Sequence, residues 1–163
     1  MHPGKVKTLM LTILIASSVP LTLAATGTEL SVVVTDSMDG QEAGYPIGGI
    51  PKGSLIAVDT TASDFRAGDV VGYRSPLIDG TVYHRVSSVD GDAVTVKGDR
   101  LGLGETVPAG DIVGKVFFVS EPMGLTVSFV RDNIVSLLVI LAGAYLLLSE
   151  PRSGKKGQER EER

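Results

Sequence analysis

The sequence has no cysteine and no tryptophan. Without cysteine there are no disulfide scaffolds, thiolate-ligated zinc sites, iron–sulfur clusters or thiol nucleophiles. The only histidines are His2 and His84, too few for a multi-histidine metal centre. Aromatic residues make up 5%, which argues against a stacking platform for single-stranded nucleic acid. Basic residues are not in excess: the formal net charge is -4 and the isoelectric point is about 5.1, so the footprint of a duplex-binding protein is missing. Charged residues at 21% and hydrophobic ones at 43% exclude a disordered chain. The 163 residues allow one domain of ordinary size with short appendages. Three classes remain: membrane attachment, a polar catalytic site of hydroxyls and carboxylates without cofactor or metal, or a binding role without chemistry.

The positive mean hydropathy of +0.24 comes from the two ends. Residues 6–25, VKTLMLTILIASSVPLTLAA, form an apolar run close to the roughly 20 residues of a spanning helix. Lys5 and Lys7 precede it and Glu29 comes after it, so the positive-inside bias leaves the N-terminus in the cytoplasm. A cleavable secretory leader ending near Ala24 and Ala25 is the rival reading. Both readings export the chain beyond Ala25. A second run, NIVSLLVILAGAYLLLS from Asn133 to Ser149, is succeeded by Arg152, Lys155, Lys156, Arg160 and Arg163, which returns the C-terminus to the cytoplasm. The expected organisation is an N-terminal anchor at 1–26, an exported domain at 27–131, a C-terminal transmembrane helix at 132–149 and a charged cytoplasmic tail at 150–163. The exported part holds 14 acidic against 8 basic residues, a balance that favours solubility.

Short β-branched runs fill that middle section. Residues 30–35, 54–58, 69–73, 81–87, 93–97 and 112–120 read as strands, and the fold class expected is mostly β, a small antiparallel domain flanked by the two spans. Asp79-Gly80 and Asp90-Gly91 read as two-residue hairpin turns joining three runs into a meander. Residues 39–52, rich in glycine and proline, read as a long surface loop. Strand alternation puts Val82, His84 and Val86 on one face and Tyr83 and Arg85 on the other. His84 alone is as compatible with a half-buried core residue as with a catalytic base.

Five short boxes succeed the first anchor in order: Ser37-Met38, Gly68-Asp69-Val70-Val71, His84-Arg85-Val86, Lys97-Gly98-Asp99 and Ile112-Val113-Gly114-Lys115-Val116. Together they resemble type I signal peptidase, in its archaeal and endoplasmic-reticulum branch, over roughly residues 8–120. The resemblance implies a membrane-bound serine endopeptidase that removes signal peptides from exported preproteins. It implies Ser37 as nucleophile and His84 as general base where the bacterial branch uses lysine. Glu105 would be the orienting carboxylate, with Asp99 in a supporting role and Asp111 a weaker third. The chain departs from the family in having Asp39-Gly40 after Ser-Met, Ser54 after Gly53, Arg100-Leu101 after the Lys-Gly-Asp box, and Glu105 in place of aspartate.

The chemistry agrees with that assignment. A serine hydroxyl needs a neighbouring base, and an imidazole titrating near 6.5 suits neutral pH. A carboxylate on the other ring nitrogen would fix the tautomer. Lys52 and Lys97 are the alternative bases of a Ser-Lys pair. The oxyanion calls for a backbone N–H near Ser37 and one further donor. An extended substrate pairing with the edge of the 30–35 strand, its small side chains in shallow pockets, would match A-x-A cleavage. The expected partners are signal peptides, the lipid bilayer and accessory subunits not identified by sequence, with the site on the extracytoplasmic side of the cell membrane. The competing class is a catalytically silent relative or an exported β domain that binds a partner.

Overall fold

The protein is described by a computed structural model. Described are residues 25–149 except 41–43, 76, 77, 79, 101 and 103, together with positions 7, 8, 10–12, 14, 18, 22 and 23. The chain divides into two compact units, residues 1–128 and 129–163.

The first unit is built on one antiparallel sheet. Its strands are β1 (Thr28–Val32), β2 (Leu55–Asp59), β3 (Val70–Arg74), β4 (Thr81–Asp90), β5 (Ala93–Lys97), β6 (Gly104–Pro108) and β7 (Ile112–Ser120). They lie in the order β1-β2-β7-β3-β4-β5-β6. Both faces of the sheet are used. Val70 joins Val33, Met38, Ile50, Ile56, Val58 and Val116 in one apolar cluster. Val71 and Tyr73, on the other side of β3, join Val86, Val94, Val96 and Val107 in a second. Central strands covered on both sides read as unbroken apolar runs, as in LIAV of β2 and VVGY of β3, whose residues are buried throughout. Irregular pairing at Ala57/Val58, Gly72/Tyr73 and Val86/Ser88 supplies the bends that let one sheet wrap two clusters.

Several sequence expectations need correction. Among the described residues there are seven strands, not six: β6 is hidden in the sequence between glycines and a proline. The first strand ends at Val32 rather than Thr35. Arg74 pairs with Thr81, so residues 75–80 connect β3 and β4, longer than the two-residue turn expected at Asp79-Gly80, where Asp79 lies outside the described residues. The β4–β5 turn is centred one residue later than expected, on Gly91-Asp92, since Asp90 pairs with Ala93. Gly91 takes φ +59 while among the described residues no non-glycine has positive φ, so the first turn position alone uses the left-handed region. The meander β3-β4-β5 itself is as expected.

The glycine- and proline-rich segment is more than a surface loop. Ile50 is fully buried in the first cluster. Arg85 reaches out from β4 to donate to the carbonyls of Ile47 and Gly48, and its guanidinium lies 5.0 Å from the Tyr45 ring centroid. Residues 41–43 of the loop lie outside the described set.

Helices α1 (Glu121–Asp132) and α2 (Ile134–Ser149) come after the sheet. Gly124 of α1 is buried directly against the backbone of Gly53, an approach that leaves no room for a side chain. α2 is uncharged and most of its large apolar side chains between Ile134 and Leu147 are exposed, Leu137 being half-buried. Among the described residues no single helix is long and apolar enough to cross a membrane, although α1 and α2, broken at Asn133, pass that test as a pair. The described positions between 7 and 25 are helical. The tail at 150–163 lies outside the described residues.

Candidate active site

Ser37 is held by the chain around it. The N–H of Asp39 donates to the carbonyl of Asp36, so Ser37 and Met38 occupy the middle of a tight turn. Met38 is 1% exposed and anchors the turn in the first cluster, which gives the Ser-Met pair a physical reason. On the other side, the N–H of Arg100 donates to the Ser37 carbonyl at 2.9 Å, and the N–H of Ile50 donates to the Met38 carbonyl. Arg100 and Asp36 form an exposed ion pair beside the turn. The Ser37 hydroxyl lies 3.3 Å from that of Thr35.

His84 approaches from β4. Its partner across the ladder is Val71, and it shares its face with Val82 and Val86, as alternation required. Gly98 separates ring from serine. A methyl group placed on Gly98 would stand 3.0 Å from the Ser37 carbonyl oxygen, 3.3 Å from His84 Nε2 and 3.5 Å from Ser37 Cβ. The Ser37 and His84 side chains therefore both border the space that a side chain at Gly98 would fill.

Behind the ring, the two carboxylates do different work. The Tyr73 hydroxyl sits 2.9 Å from His84 Nδ1 and donates to Glu105 Oε2 at 2.8 Å. Glu105 thus meets the imidazole through a phenol. It lies in β6 opposite Val96, on the same side of the sheet as the inward-facing Val107. Asp99 faces elsewhere. Its side chain is 0% exposed and takes two hydrogen bonds from Arg85, at 2.9 Å from Nε and 2.7 Å from Nη2. Arg85 also donates to the Gly68 carbonyl, so one guanidinium ties three of the five boxes together. Lys115 Nζ, 3.4 Å from Asp69 Oδ2, joins the remaining strand box to the second. Asp111 is exposed in the short 3-10 turn before β7.

The alternative bases are placed less well. Lys97 is paired with Arg85 across the β4–β5 ladder and shares the side of the sheet opposite to His84. Lys52 is exposed in the turn before Gly53.

Burial pushes the His84 ring below its ordinary value near 6.5, with Glu105 and Asp99 acting in the opposite sense. The ring is accordingly a neutral base at neutral pH. Among the described residues no group of three or more histidine, aspartate or glutamate side chains is arranged to hold a metal ion. Sequence reasoning missed Tyr73 and Thr35. Tyr73 falls in an expected strand, but its link to Glu105 depends on the unforeseen β6. Thr35 reads in the sequence as the last residue of a strand, with nothing to set it beside the serine hydroxyl. No family model matches the chain, and no curated protein matches it in sequence.

Proposed function

We propose that this chain is a membrane-anchored serine endopeptidase of the signal-peptidase type, with Ser37 as nucleophile and His84 as general base. The observation that carries this reading is that Ser37 Cβ and His84 Nε2 both lie within 3.5 Å of the point where a Cβ on Gly98 would stand. The mechanism requires Oγ to leave Thr35 and turn toward Nε2 when substrate binds, the kind of tightening that catalytic contacts undergo. Oγ then attacks the scissile carbonyl carbon as its proton passes to Nε2. The carbonyl electrons move to oxygen, and in this reading a backbone N–H of the Ser37 turn and the Thr35 hydroxyl are the candidate donors to it. Collapse of that intermediate expels the amine, which takes the proton from Nε2, and water repeats the sequence on the acyl-enzyme.

The substrate reading rests on β1, which lies at the edge of the sheet and leads directly to Ser37. An extended peptide pairing there would present alternate side chains to the site. Signal peptides with small residues at two alternate positions fit such an arrangement. Membrane attachment is supported by α2, an uncharged helix with its apolar side chains exposed. At 1.5 Å per residue its 16 residues extend about 24 Å, near the ~30 Å of a hydrocarbon core. The reading places the N-terminal run and α2 in the cell membrane and the sheet outside the cytoplasm, with signal peptides and lipid as partners.

The test is cleavage of a preprotein in detergent or lipid by the full chain and by Ser37→Ala and His84→Ala. Wild type should cleave after a small residue and both variants should lose at least about 10²-fold in kcat. Full activity in either variant removes the mechanism. The contact of Ser37 Oγ with Thr35 favours one second reading, a silent accessory relative, in which wild type and Ser37→Ala are equally inert.

A further inference from the structure

Resting on the Ser37–His84 reading, we propose that Tyr73 is a positioning residue that decides which nitrogen of His84 carries the proton. The argument is a count of hydrogens. A neutral imidazole has one N–H and a phenol has one O–H. The Tyr73 oxygen is 2.9 Å from His84 Nδ1 and 2.8 Å from Glu105 Oε2. An ionised carboxylate can only accept, so the phenol's single proton belongs to Glu105. What the phenol turns toward Nδ1 is then a lone pair, and the short contact is a hydrogen bond when Nδ1 carries the ring's proton. Nε2 is left bare on the side where Ser37 stands. That is the tautomer a general base needs.

Packing keeps the phenol in this role. Tyr73 is 1% exposed, and its ring sits 5.8 Å from the imidazole at an interplanar angle of 49°. It lies diagonally across the β3–β4 ladder from His84, within reach for an aromatic side chain. Burial, reinforced by Glu105, raises the phenol's ionisation far above its ordinary range, so its hydroxyl proton stays in place. The charged groups acting on the ring are Glu105 and Asp99, and Asp99 is committed to Arg85. When Ser37 delivers its proton to Nε2, Nδ1–H remains bonded to the phenol oxygen. Glu105 then stabilises the imidazolium through the polarised hydroxyl, and no proton leaves the far side of the ring.

The chain suits a direct measurement because it has only two histidines. Nitrogen-15 spectra of histidine-labelled full-length protein in detergent, above the ring's titration, report the tautomer, and His2→Gln assigns the signals. Wild type should hold its proton on Nδ1 of His84. Tyr73→Phe should move it to Nε2, because no acceptor then faces Nδ1. Glu105→Ala, at a half-buried position, should do the same by freeing the phenol's proton to point at Nδ1. A wild-type ring protonated on Nε2, or a Tyr73→Phe ring still protonated on Nδ1, overturns the proposal. In the cleavage assay Tyr73→Phe should lower kcat about tenfold with KM unchanged. An unchanged kcat overturns the positioning role. The spectra require no activity, so a chain that cleaves nothing would end the peptidase reading while the tautomer question is still decided.

Discussion

Arg85 carries a charge into a site where its side chain is 1% exposed, and Asp99 beside it is 0% exposed. Such a pair is tolerable because every arm of the guanidinium is engaged: by Asp99, by the carbonyls of Ile47 and Gly48, and by that of Gly68. Removing one partner strands the other, at a cost of about 3–5 kcal/mol. Asp99→Ala should therefore lower the unfolding free energy of the chain in detergent by a margin of that size, with a correspondingly lower urea midpoint, and a midpoint equal to wild type would contradict the structural role. His84 leads to a second expectation. Its ring is depressed by burial, so below the ordinary 6.5 the unfolded chain takes up the proton more readily than the folded one. Stability from this group is full above 6.5 and is lost as pH falls beneath it. The base form persists into the same window. The acid limb of kcat/KM, which reports the free enzyme, should accordingly have its midpoint below 6.5, and a midpoint at or above that value would contradict the burial. The order of the boxes, a one-dimensional signal, was enough to single out Ser37 and His84, which the structure brings to the same glycine. The division of labour between Asp99 and Glu105 could not be read that way, since it depends on which of them a neighbouring arginine claims.

Among the elements, β6 was the hardest to see in the sequence. Its five residues, GETVP, offer only a two-residue β-branched core between breakers, while tertiary pairing with β5 supplies the rest. Consequently Glu105 read as a loop charge although it stands on a strand, facing the second cluster. The hairpin β4–β5 was legible to within one residue because Asp-Gly chemistry demands a turn there; Asp79-Gly80 misled because the same dipeptide also serves longer connections. The link between β5 and the turn after it carries a prediction. Gly98 is where serine and imidazole come together, and a methyl there would stand 3.3 Å from Nε2. Gly98→Ala should fold, since the crowding is a few tenths of an ångström, but should reduce kcat by about tenfold or more through the misplaced pair. Wild-type turnover in that variant would mean that the two groups do not have to close across this point.

At the scale of the whole molecule, the sheet brings together sequence boxes separated by up to tens of residues. The Ser37 turn is bonded to the residue after Lys97-Gly98-Asp99, that box to His84-Arg85, and Arg85 to the Gly68 carbonyl. β1, the strand that precedes the Ser37 turn, stands at the edge of the sheet. This convergence is the central claim, and one set of rates addresses it most directly: kcat for preprotein cleavage by wild type, Ser37→Ala, His84→Ala and the double variant. Groups that act as one unit are not additive, so the double variant should be no slower than the slower single one. Losses that multiply would mean that serine and histidine contribute separately, and would contradict the account.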